Sequence, residues 1–221
     1  MDALVADCEI PDGWGWQQDV NAWSSLAFVG AAVVLAVAVW RGRFPRSVLV
    51  LAALSAVQGV GSMLFHGTPS GGAQLLHDVA LLGMVGYIAG WHLGRVTGRS
   101  EAGAVEGAAL ALVAGVAIWA IDARATSAIA AVQLGLLVVS EMWSRRRGAA
   151  PVWTAPMLGL VGVGALMWLG GRTGSLLCQP DSALQLHAGW HVLAALLVVV
   201  WAGAAYRLTG PPRRLSTGIW C

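Results

Sequence analysis

His187 and His191 stand four residues apart, Ser62 and His66 stand four apart, and His77 is followed directly by Asp78. Residues four apart share one face of a helix. Two histidines on one helix face can grip a single metal ion. A third from another helix, His66, completes a three-histidine zinc site with one position open for water. Such a site lowers the pKa of its water to about 7 and polarises a carbonyl. A carboxylate such as Asp78 can hold that water and take its proton, and a hydroxyl such as Ser62 can donate to a developing oxyanion. Each residue also has a plainer use. A histidine at a membrane interface snorkels or hydrogen-bonds, which fits His92 beside Trp91. Ser62 can bond back to its own helix and Asp78 can cap one. His77 reads as a loop residue or as a partner standing behind the ligands, with the option of replacing one. The metal reading gains from all five principal residues falling on one face of the membrane.

That placement follows from composition and charge. The chain has 221 residues, 57% hydrophobic and 11% charged, with 29 glycines and a net charge of +2; its mean hydropathy is +0.71. Soluble domains are about one quarter charged. The composition excludes a disordered chain, a collagen-like chain and a nucleic-acid-binding domain. It points to an all-α polytopic membrane protein, one domain over 1–221. Apolar runs at 22–40, 47–66, 73–93, 102–120, 126–143, 153–170 and 183–205 predict a seven-transmembrane helix bundle. Residues 1–21 form an acidic segment with Pro11, Gly13 and Gly15, unlike a signal peptide. Residues 208–221 form a tail.

All 13 basic residues are arginine. The breaks after spans one, three and five, with the tail, hold Arg41, Arg43, Arg46, Arg95, Arg99, Arg145, Arg146, Arg147, Arg207, Arg213 and Arg214. The other side holds Arg124 and Arg172. This bias predicts a cytoplasmic C-terminus and an extracytoplasmic N-terminus. Span two then ends at His66 on the outer side, where spans three and seven begin. Ser62, His66, Asp78, His187 and His191 therefore share one layer in the outer third of the membrane. Trp23, Trp40, Trp91, Trp119, Trp143, Trp153 and Trp168 read as interfacial belts.

The Ser62-x-x-Phe65-His66 segment, Asp78, and His187-x-x-x-His191 in a seven-span chain resemble the alkaline ceramidase family, within a superfamily that includes progestin/adiponectin-type receptors. Cys8-Glu9 and the stretch from Gln18 to Ser25 resemble the family's opening segment. The resemblance implies a zinc ion held by His66, His187 and His191, with Ser62 and Asp78 as catalytic groups. It also implies hydrolysis of the N-acyl bond of ceramide or a related membrane lipid to a fatty acid and an amine. The stretch from His66 to Asp78 is one residue longer than in the family, so His77 competes for the Asp position. Of the family's calcium ligands, Glu9 and Asn21 match. Gln18 stands where a Glu is expected and Asp7 is one position out of line, so the calcium set is partial. A cysteine pair at comparable places is a family feature, which implies a Cys8–Cys178 disulfide on the outer side; unpaired thiols, or metal ligation by Cys178, are the alternatives. Cys221 is expected to be free.

Two other functional classes stay open: a non-catalytic lipid-sensing receptor on the same scaffold, and a haem-binding electron carrier using His66 with His187 or His191. A retinal protein needs a lysine, and this chain has none; a rhomboid protease needs a Gly-x-Ser-Gly motif, also missing. Arginine without lysine, with abundant Ala and Gly, fits a GC-rich bacterial genome and an inner-membrane location. The lipid head group and the oligomeric state are not legible.

Overall fold

The computed structural model describes residues 7–9 and 16–209, apart from the side chains at 124, 126, 127, 208 and 209. Most of the expected tail, with Arg213, Arg214 and Cys221, lies outside the described residues. So do Asp2, Asp12 and Trp14 of the N-terminal segment. The described chain is helical: α1 (Asp19–Ser24), α2 (Leu26–Trp40), α3 (Val48–Gly67), α4 (Gly71–Val96), α5 (Ser100–Ile121), α6 (Thr126–Arg146), α7 (Ala155–Gly170) and α8 (Leu186–Thr209). Among the described residues there is no strand, and one isolated β-bridge joins Asp7 to Arg172.

Five stretches are long and apolar enough to cross a membrane: Asp19–Trp40, Val48–Gly67, Gly71–Val96, Ser100–Ile121 and Leu186–Arg207. The first comprises α1 and α2, which meet at Ser25. The two other expected spans are helices with a weaker membrane signature. Helix α7 has only 16 residues. Helix α6 buries Gln133, Ser140, Glu141 and Ser144, which dilutes its apolar character.

Helices α2, α4 and α6 end alike. Gly42, Gly98 and Gly148 have φ of 65°, 75° and 80°, a conformation that side chains with a Cβ resist. The amides of Arg43, Arg99 and Ala149 then bond back to the carbonyls of Ala38, Gly94 and Ser144 at 2.9, 2.7 and 3.0 Å. This is the Schellman closure. It stops the three helices where the arginines cluster, and the chain reverses.

Helix α4 is central and packs on α3, α5 and α6. Its seam with α5 runs Gly86, Gly90, Gly94 against Ala111, Gly107, Gly103. A Cβ on Gly94 would lie 2.6 Å from Arg99 O, and one on Gly90 would lie 2.9 Å from Gly107 Cα. The small-residue repeat lets the two backbones touch, as in membrane helix pairs. Helix α8 packs on α2 and α7. At the arginine end, Trp91 and Trp201 are both fully buried, with ring centroids 5.6 Å apart edge to face. These contacts bring the His66 end of α3 beside the first turns of α8.

Candidate metal centre

His66 closes α3, while His187 and His191 sit in the first two turns of α8. All three are buried, and each offers a ring nitrogen within 4.8 Å of the others'. Ring centroids are 5.2 Å apart for His66–His187, 5.2 Å for His66–His191 and 4.7 Å for His187–His191. Nitrogens around one zinc at 2.0–2.1 Å stand about 3.4 Å apart, so a small contraction closes the set on an ion. Gly171 permits the approach of α8, since a Cβ there would lie 2.6 Å from His187 N.

Hydrogen bonding fixes which nitrogen faces inward for two of the three rings. Gln18 Nε2 donates to Glu9 O at 3.0 Å, which orients the amide. Gln18 Oε1, 2.7 Å from His66 Nδ1, can therefore only accept. The His66 proton is on Nδ1, and the Nε2 lone pair is left bare. Ser24 Oγ donates its one proton to Asn21 O at 2.9 Å and so accepts from His191 Nδ1 at 2.9 Å. His187 Nδ1 lies 3.3 Å from the Asp7 carboxylate. The Nδ1 of His66 and of His191 thus points outward at an acceptor, whereas His187 Nδ1 and Asp7 Oδ1 approach each other without a hydrogen bond. His66 Nε2 and His191 Nε2 are buried with no hydrogen-bond partner. Metal-binding histidines need this tautomer and this kind of outer partner. The donor set and its orphaned nitrogens fit a metal ion.

The outer partners come from the N-terminal segment, which lies across this end of the bundle. A disulfide joins Cys8 to Cys178, with Cα atoms 5.4 Å apart. Cys8 N donates to Gly171 O at 2.8 Å, and Gln17 N and Gln18 N donate to Gly67 O and His66 O at 2.9 and 3.0 Å. Trp16 stacks on Trp23 at 5.0 Å and covers Gly67, where a Cβ would lie 2.5 Å from its ring. The Glu9 carboxylate accepts from Val20 N at 2.7 Å and Asn21 N at 2.9 Å, capping the start of α1 with a charge that suits a helix N-terminus. Glu9 thereby spends both oxygens on the helix. Asn21 is fully buried beside it, with neither side-chain polar atom hydrogen-bonded.

Ser62 is fully buried one turn before His66. It does not bond back to its own helix: Ser25 Oγ lies 2.8 Å from Ser62 Oγ, 2.8 Å from Asn21 O and 3.4 Å from His191 Nδ1. Asp78 is not brought to the three histidines. Its partly exposed carboxylate accepts from His77 Nδ1 at 2.8 Å, and it lies two turns inside α4, whose N-cap is Ser70 accepting from Ala73 N at 3.2 Å. His77 is the member of that pair nearer the cluster, its ring centroid 6.3 Å from that of His66. The carboxylate against the cluster is Asp7, 6% exposed, with Arg172 Nη1 at 3.5 Å. Burial pushes its carboxyl up to about 6, against the pull of Arg172 and His77 and with Glu9 adding to the rise.

His92 takes the hydrogen-bonded of its two expected roles and does not snorkel. It is fully buried, with Nδ1 3.2 Å from Glu141 Oε2 and Nε2 accepting from Trp201 Nε1 at 3.2 Å. Compared with known proteins, the chain matches no family model and no curated sequence.

Proposed function

We propose that this chain is a zinc-dependent hydrolase of the alkaline ceramidase type. It spans the membrane seven times with its N-terminus outside, and it cleaves the N-acyl bond of ceramide or a related N-acyl lipid. The observation that carries this reading is the convergence of three buried imidazoles, each with one buried ring nitrogen that no hydrogen bond occupies. That pattern leaves unshared lone pairs directed at one point. It favours a single ion over a haem, whose two axial ligands must face each other across a wide plane. Three neutral nitrogens suit zinc, which when bound supplies Lewis acidity and a nucleophile at neutral pH.

The chain's own residues supply the rest. His66, His187 and His191 hold the ion. When Ser25 gives its single proton to Ser62 Oγ, the proton of Ser62 itself is released for the carbonyl oxygen of the scissile amide, one helical turn from His66. The His77–Asp78 pair provides the proton path: Asp78 fixes the His77 proton on Nδ1, which leaves Nε2 able to take a proton. The N-terminal segment lies over the site and limits water. Lipid chains enter between helices, and the head group sits under that segment, in the extracytoplasmic leaflet. The arginine bias supports this orientation.

The test is release of fatty acid from a panel of labelled N-acyl lipids by the full chain reconstituted in vesicles. Turnover abolished by a chelator and restored by zinc supports the reading. Zinc-loaded protein that cleaves none of the panel would assign the site to a sensor.

A further inference from the structure

Among the acceptors behind the three histidines, two are neutral and one is a carboxylate. Asp7 Oδ1 lies 3.3 Å from His187 Nδ1, and Asp7 Oδ2 lies 4.0 Å from His66 Nδ1. Both approaches are to Nδ1 atoms, and neither Asp7 Oδ1 nor His187 Nδ1 has a hydrogen bond to any other group. Its backbone is held separately from its side chain: Thr173 Oγ1 donates to Asp7 O at 2.8 Å, and the neighbouring Cys8 is in the disulfide. Arg172 Nη1 sits 3.5 Å from the same oxygen that faces His187. Asp7 is thus a buried charge placed on a fastened segment, aimed at one ligand.

We propose that Asp7 is the positioning residue of the metal centre. Its carboxylate accepts the His187 Nδ1 proton, fixes that ring with Nε2 inward and raises its strength as a ligand. The inference rests on the three-histidine metal reading and deepens it. A carboxylate behind a ligating imidazole holds the tautomer and the ring angle, and its loss costs about 10–100-fold in metal affinity. Asp78, read from the sequence as a catalytic group, pairs instead with His77 Nδ1 at 2.8 Å.

The experiment is zinc affinity, measured by chelator competition on the metal-stripped full-length chain in detergent. Ligand-field spectra of the cobalt(II)-loaded protein serve as a second readout of ligand geometry. Asp7→Leu is expected to weaken zinc by about 10–100-fold and to shift the cobalt bands. Asp7→Asn, which keeps an acceptor oxygen and the side-chain shape, is expected to lose less. Thr173→Val cuts the backbone anchor and leaves the carboxylate in place, so its affinity is expected to stay near wild type. Thermal unfolding of the stripped proteins separates weak binding from misfolding. Wild-type affinity in Asp7→Leu would overturn the proposal, as would equal weakening in Thr173→Val, which would make the segment a mere cover. If the wild-type chain itself binds no zinc, or His187→Ala binds it unchanged, the three-histidine reading falls as well.

Discussion

The protein buries histidine at both ends of its bundle and treats it in opposite ways. At the arginine end, His92 accepts from Trp201 through Nε2 and faces Glu141 through Nδ1. Glu141 also takes Arg145 Nε at 2.9 Å and Val152 N at 3.1 Å, which ties α4, α6, α8 and the turn before α7 together. Its Nε2 is hydrogen-bonded and its Nδ1 stands against a carboxylate fixed by two further hydrogen bonds, so the ring is a structural connector. At the other end, the Nδ1 of His66 and of His191 is partnered and the Nε2 is not. A buried polar atom without a partner costs free energy. Three imidazoles crowded together add to that cost unless something else occupies their lone pairs. The closed network therefore reads as scaffold and the open one as a binding site, though the amino acids are the same.

The comparison can be broken in order of expected effect. His66→Ala should lose more than the roughly 100-fold expected of an outer partner, in zinc affinity and in turnover together, read by chelator competition and product release. Glu141→Ala strands the partners of a buried charge and should cost about 3 kcal/mol of stability. Denaturant titration in detergent would read that loss, and zinc should remain at one per chain; loss of zinc there would show that the two ends are not independent. Gln18→Leu removes the acceptor behind His66 and should weaken zinc by about 10–100-fold with the fold intact. The matched change at the closed end, Trp201→Phe, removes the donor to His92 Nε2. It should cost about 1–2 kcal/mol and leave zinc affinity unchanged.

The three histidines were legible because helical periodicity carries them: four-residue spacing sets a face, and span order sets a depth. Ser62 followed by the same logic. The residues behind them were not. Asp7, Gln18 and Ser24 reach the site from an irregular segment and a short helix, positioned by a disulfide and by backbone bonds between chain regions far apart in sequence. No local period encodes such an arrangement. Asp78 and His77 show where spacing runs out. Neighbours on a helix are rotated by about 100°, so His77 and Asp78 cannot both face the site, and spacing alone does not say which does. In the fold Gly61 of α3 lies over the backbone of Leu76 and His77, and the His77 ring centroid is 6.3 Å from that of His66. Glu141 gave a signal that went unread, since an acid inside an apolar run always needs a partner. The glycine seam of α4 and α5 was visible as a four-residue repeat, yet which helices it joins depends on the fold.

The most direct test of the metal centre is zinc content per chain in the purified full-length protein, beside that of His187→Ala/His191→Ala prepared identically. The site described here predicts one zinc per wild-type chain and none in the double variant. Stoichiometric zinc persisting in the double variant, or a wild-type chain that takes up none, would contradict it.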